Sequence, residues 1–123
     1  MIKIRQEQMD AFATDLRARF ASRLVAHVEG KYPEKVWDLA RTDLRMRIQA
    51  TIARAITYGI NREEDVAAFV VLTLELGEHF DTESEHEWSQ TILRDPTLDG
   101  HAKINRIEEA LYQVEDHEVA AND

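Results

Sequence analysis

The sequence predicts an all-α fold, a single five-helix bundle with short connections, and three observations carry that expectation. Apolar residues recur at three- and four-residue steps through most of the chain. No stretch alternates apolar and polar with the period of two that a half-buried strand needs. The 4 glycines and 2 prolines fall where one periodic segment gives way to the next.

The first helix is expected from about Gln6 to Glu29. Met9, Phe12, Leu16, Phe20, Leu24 and Val28 form one stripe, with Gly30 as its stop and Pro33 preventing continuation. Glu34 to Ala40 then makes a short helical turn that sets Trp37 against the core. The second helix runs from Thr42 or Asp43 to Tyr58. Leu44, Ile48 and Ile52 lie four apart and continue to Ile56, with Ala55 beside them. Gly59 is its natural C′ residue, since glycine enters the left-handed region without a Cβ penalty. The third helix begins at once. Asn61 and Glu64 have the spacing of a capping box, and Glu63, Glu64 and Asp65 complement the helix dipole. Val66, Phe69, Val70, Leu72 and Leu74 make it apolar on most sides, as a central helix should be, and Gly77 ends it. Ser84 is the expected cap of a fourth helix whose buried face is Trp88, Ile92 and Leu93, closed by Asp95-Pro96. After a turn through Gly100, a fifth helix runs from His101 to Glu118, with Ile104, Ile107, Leu111 and Val114 inward. One domain over 1–123 is expected, with a core of about 5–118 and a frayed tail at 119–123.

The 123 residues suit one domain. With no cysteine, a disulfide framework, a zinc ribbon and a thiol nucleophile are excluded. Too few glycines exist to write a Walker A loop or a dinucleotide fingerprint. The longest apolar run, Val66 to Leu72, is far short of a membrane span. The start, Met1-Ile2-Lys3-Ile4-Arg5, turns polar at once, so a signal peptide is not expected and the cytoplasm is the default compartment.

The net charge of −9 hides an asymmetry. Residues 1–60 carry 11 Lys+Arg and 7 Asp+Glu, whereas residues 61–123 carry 4 and 17. The acidic half argues against nucleic acid, whose binders must neutralise phosphates, and permits a protein partner of complementary charge.

The densest polar cluster is His79, Asp81, Glu83, Glu85, His86 and Glu87. Glu83 and His86 have the E-x-x-H spacing of carboxylate-bridged metal bundles, but no second such pair exists. No metal or cofactor is therefore expected, and a metal-dependent enzyme using Glu83 and His86 is kept as an alternative. His27, His79, His86, His101 and His117 are scattered, and no nucleophile, base and orienting group can be assembled. Catalysis is not expected. A basic set, Arg41, Arg45, Arg47 and Arg54, decorates the second helix. Arg47 and Arg54, seven apart on one face, either pair with acids of the third or fifth helix or meet an acidic partner. Charge reversal at both is expected to weaken such a complex while sparing the helical signal. Tyr58 either packs in its corner or is presented to a partner. Trp37, after a proline-containing connection, has a second reading as a surface anchor. Candidate partner-binding residues are thus Trp37, Arg47, Arg54 and Tyr58.

The stretch from Ala55 to Phe69, with Tyr58-Gly59-Ile60 and Glu64-Asp65-Val66 inside it, continues to Leu72, Leu76-Gly77, Phe80-Asp81, Trp88 and Ile92-Leu93. This order resembles a group of small helical bacterial proteins encoded beside type VI secretion genes, among spike proteins, effector adaptors and toxic effectors. The likeness covers most of residues 5–115 and is strongest over 55–93. It implies a non-catalytic, co-chaperone-like accessory protein that helps an adaptor hold or load an effector. An immunity protein that masks a toxin is the alternative within the same gene setting. The group implies no catalytic residues, so none are carried over.

Overall fold

A computed structural model describes residues 6–121, with side chains over 16–111 other than Ser84. The fold is all-α, and no strand occurs among the described residues. The helices are α1 (Gln6–Lys31), α2 (Pro33–Val36), α3 (Arg41–Thr57), α4 (Glu63–Leu76), α5 (Glu87–Leu93) and α6 (Gly100–Ala121), with a 3-10 turn at Ser84–His86. The described residues thus hold six α-helices rather than the five expected. The extra one is the single turn of α2, which starts with Pro33 at the position where a missing N–H costs nothing. By contacts the chain divides into two compact units inside α3, up to Ala53 and from Arg54.

In the first unit, α1 runs past Gly30 rather than stopping there. The Tyr32 amide donates to the Val28 carbonyl at 2.8 Å, so the helical pattern continues until Pro33 forces Tyr32 out of it (φ −126°, ψ 48°). The buried face of α1 is Ala21, Leu24, Val25 and Val28. Leu16, expected in the stripe, is exposed, and Phe20 is half-buried. Met9 and Phe12 lie outside the described side chains. Three members of the ridge read on α3, Leu44, Ile48 and Ile52, are buried, and the fourth, Ile56, is half-buried. The expectation for Trp37 is overturned. Val36 takes the buried position at the end of α2, and Trp37, one residue later, is 80% exposed.

In the second unit, α3 ends at Thr57 in a Schellman arrangement. The Ile60 amide reaches back to the Ala55 carbonyl at 3.0 Å, and the Gly59 amide to the Ile56 carbonyl at 2.9 Å. Gly59 takes φ +78°, the conformation that the sequence assigns it. The same cap draws Ile60 fully inward against Ala55, both 0% exposed. That leaves Asn61 outside, and α4 starts one residue later than expected, with Arg62 at the N-cap and no side-chain cap bond. Gly77 ends α4. Its buried residues, Asp65, Val66, Phe69, Val70, Leu72 and Thr73, lie on one side of the helix, and Val71 and Leu74 are half-buried, so α4 is less enclosed than its sequence suggests.

Both α4 and α5 pack on α6. The cap expected at Ser84 is displaced too: Ser84 opens the 3-10 turn, and His86 is the N-cap of α5. On α5 the buried residues are Ser89 and Leu93, while Trp88 and Ile92 are only half-buried. Ser89 can face inward because its hydroxyl donates to the His86 carbonyl at 2.7 Å. Asp99 caps α6, accepting the Ala102 amide at 2.8 Å. Ile104 and Ile107 are buried as expected, and Leu111 is half-buried. Val114 lies outside the described side chains. The helix continues to Ala121, past its expected end at Glu118, so only Asn122 and Asp123 of the tail fall outside the description.

Candidate functional site

The Tyr58-Gly59-Ile60 corner gathers the most polar chemistry in the second unit. Leaving α4, the chain turns at Gly77 (φ +121°) and again through a bond from the Phe80 amide to the Gly77 carbonyl at 3.1 Å. Two neighbours in this connection then split their roles. Phe80 is driven inward as the apolar member, 0% exposed, in a tilted stack with Phe69 and Tyr58, centroids 5.3 and 6.1 Å apart in turn. Asp81 follows it inward and is 1% exposed. A buried carboxylate is tolerated only when paired and hydrogen-bonded, and Asp81 is both. The Arg54 guanidinium donates to its two oxygens at 3.3 and 3.2 Å, and the Tyr58 hydroxyl donates to Oδ2 at 2.7 Å. Arg54 also donates to the Glu78 carbonyl.

Burial, then the bond to Asp81 and the charge of that carboxylate, push the Tyr58 phenol from its ordinary 10.0 up to about 12. The fold therefore favours the protonated phenol. Its contribution to stability is complete below pH 10 and is lost as pH rises towards 12. In an alkaline titration, the tyrosinate absorbance of the native chain should show a late-ionising phenol that Tyr58→Phe removes. Ionisation of all the phenols near pH 10 in the folded protein would contradict that assignment.

The beginning of α6 closes on the same corner. Lys103, only 9% exposed, donates from Nζ to the Tyr58 carbonyl at 2.9 Å, so a cation caps the negative end of α3. Two turns of chain are in backbone contact where Gly100 meets Gly59 and Ile60. A Cβ added at Gly100 would sit 2.7 Å from the Ile60 Cα and 2.9 Å from the Gly59 carbonyl carbon.

This cluster corrects the reading of Arg54 and Tyr58 as partner-binding residues. The Arg54 guanidinium is engaged by the chain's own Asp81, which lies neither on the third nor on the fifth sequence helix but in the connection after α4. Tyr58 is half-buried with its hydroxyl committed to the same acid. Charge reversal at Arg54 would damage the fold, so it cannot isolate a partner contact. Arg47 is half-buried and also makes an interaction within the chain. Among the four candidates Trp37 is the one presented to solvent as a large apolar surface.

Two groups bring together side chains of metal-ligating type. Ligand atoms of Glu83, Glu85 and His86 lie within 4.8 Å of one another, which places the E-x-x-H pair together. Glu64, Asp65 and His101 do the same, and the sequence reading missed this group. In the second, Asp65 is 4% exposed and its Oδ1 lies 2.9 Å from His101 Nδ1. Asp65 was legible only as a first-turn acid, and no local signal joins it to a histidine 36 residues away. Each group stops at three ligands among the described residues, one short of the four in a closed zinc site.

No family model, curated protein or solved structure matches this chain.

Proposed function

We propose that this chain is a non-catalytic accessory binding protein of the cytoplasm, co-chaperone-like, acting on an adaptor or effector of a bacterial type VI secretion system. The observation that carries a binding role is Trp37, which leaves 80% of its surface in water directly after the buried Val36. A large aromatic held in the open at the end of a short helix has the chemistry of an interface anchor. The choice of partner rests on the resemblance over residues 55–93. The residues that carry it build the Tyr58-Gly59-Ile60 corner, the α4 core and the Phe80-Asp81 connection.

Co-expression with a neighbouring adaptor or effector tests the proposal. The chain should raise the soluble yield of that protein and be dispensable for survival of the producing cell. If it is instead required for survival and binds the toxin domain, the immunity reading replaces this one. Stoichiometric bound metal, lost on Glu83→Ala or His86→Ala, would replace both with the metal-dependent alternative. Trp37→Ala should weaken the complex by about thirtyfold or more, the cost of losing a central anchor. The same change should leave the unfolding free energy within about 0.5 kcal/mol of wild type, as for other exposed positions. Equal affinity in isothermal titration would remove Trp37 from the interface.

A further inference from the structure

In the first unit, α1 and α3 lie side by side and leave two clefts along one edge. The larger, about 360 Å³, is lined by Ser22, Val25, Arg41, Thr42 and Arg45. The smaller, about 190 Å³, is lined by Arg17 and Gln49 among others. Residues 42, 45 and 49 fall on one face of α3 at 100° per residue, so the clefts follow one another along the same edge. From Arg41 to Gln49 is about 12 Å of helix, the reach of three to four residues of an extended peptide.

The lining is cationic and its donors are only partly used. Arg45 donates to the Ser22 hydroxyl at 2.6 Å and to the Ala18 carbonyl at 3.5 Å, which orients its guanidinium and leaves further N–H groups. The Arg41 side chain is 71% exposed, and its contact is a 3.4 Å pair from Nε to Glu29 Oε1. Its terminal NH₂ groups therefore remain for a ligand. Arg41 and Arg45 against Glu29 leave a local balance of +1. One carboxylate neutralises that, whereas a phosphate dianion overshoots it. Guanidinium forks match carboxylate geometry in pairs of parallel bonds.

We infer that the α1–α3 edge of the first unit is a docking groove for an acidic peptide segment of a protein partner, with a glutamate side-chain carboxylate seated between Arg41 and Arg45. A second acid three or four residues along the segment reaches Arg17 at the smaller cleft. The groove deepens the binding role proposed above and depends on it only for the partner's identity.

The full chain is titrated, by fluorescence polarisation, into a labelled Gly/Ser peptide carrying glutamate at every fourth position, acetylated and amidated at its ends. Its glutamine counterpart, a version with a free C-terminal carboxylate, and inorganic phosphate as competitor complete the set. The glutamate peptide should bind at least tenfold tighter than the glutamine peptide, more weakly as salt rises, and no worse than the free-acid version. Arg41→Gln should cost about tenfold, the loss of one charge-assisted contact. Because Arg41 is exposed, its melting curve should match wild type, and Arg17→Gln should show a smaller loss with the fold likewise unchanged. Equal binding of the two peptides, an unaffected Arg41→Gln, displacement by stoichiometric phosphate, or preference for the free-acid peptide would each overturn the assignment. An adaptor or effector captured equally by wild type and Arg41→Gln sinks the groove and leaves the proposed function standing. Tight, Arg41-dependent peptide binding with no secretion protein captured does the reverse.

Discussion

Replacing Gly100 by alanine is expected to lower the unfolding free energy by about 3 kcal/mol, the upper range for overpacking a site that cannot give. Gly100 has no positive φ, so its backbone conformation is open to any residue. The reason for glycine here is proximity. The new methyl would collide with the Gly59 carbonyl oxygen and lie 2.7 Å from the Ile60 Cα. Those atoms are backbone, held by the bonds from Ile60 to Ala55 and from Gly59 to Ile56. They cannot swing aside as a flexible side chain would. The strain would also reach Lys103, one turn along α6, whose ammonium caps the Tyr58 carbonyl. Gly30 is the internal comparison: it lies inside α1 with nothing within 4 Å of an added Cβ. Gly30→Ala should be neutral or stabilising by up to about 1 kcal/mol, the helix-propensity gain. Urea unfolding of both variants checks the contrast. A Gly100→Ala protein as stable as wild type would mean that α6 does not press on the corner as described.

Arg54→Met should cost about 3 kcal/mol, the low end of the range for breaking a buried ion pair, because Arg54 retains 24% of its side-chain exposure. The damage comes from what remains. Asp81, 1% exposed, would keep the Tyr58 hydroxyl but lose the cation that offsets its desolvation. The connection after α4 would lose its tie from Arg54 to the Glu78 carbonyl as well. Adding Asp81→Asn to Arg54→Met should restore part of the loss, since a neutral amide still accepts the Tyr58 hydroxyl without carrying a charge. A double variant less stable than Arg54→Met would show that lost packing, not the stranded carboxylate, sets the cost. Urea midpoints at pH 7 decide it.

Local chemistry was readable where one short segment determines the outcome. The ridge of Leu44, Ile48, Ile52 and Ile56 requires only a helix with one wet side, and its first three members are buried as read. Gly59 and Gly77 end their helices because no other residue enters those conformations cheaply. Misplaced ends have local competitors. Asn61 lost the N-cap because burial of Ile60 completed the preceding cap and shifted the start of α4 to Glu63. Gly30 failed as a stop because glycine tolerates helix when the next residues continue it, and Pro33 was the real barrier. Asp99 read as a turn residue, although Asp before a helix is a usual cap.

The polar cluster was not readable, for a different reason. Arg54 and Asp81 are 27 residues apart, and neither has a neighbour that marks it as buried. Asp81 looked like one acid among several in the densest polar cluster of the sequence. It lies inward beside Phe80, which stacks on Phe69, and is held there by Arg54 and Tyr58. Trp37 shows the same dependence in reverse. Its size argued for the core, but Val36 filled that position and the turn after α2 left the indole outside. Arg41 and Arg45 were visible as part of a basic set, and only the approach of α1 shows that they line a cleft.

The binding role is tested most directly by a pull-down of the tagged chain, beside Trp37→Ala, from cells expressing type VI secretion genes, with mass spectrometry of what survives a salt wash. Recovery of a secretion adaptor or effector by wild type, lost or sharply reduced with Trp37→Ala, is the expected result. A chain that emerges alone would contradict it, whereas one that carries the same proteins with and without Trp37 would remove Trp37 from the interface.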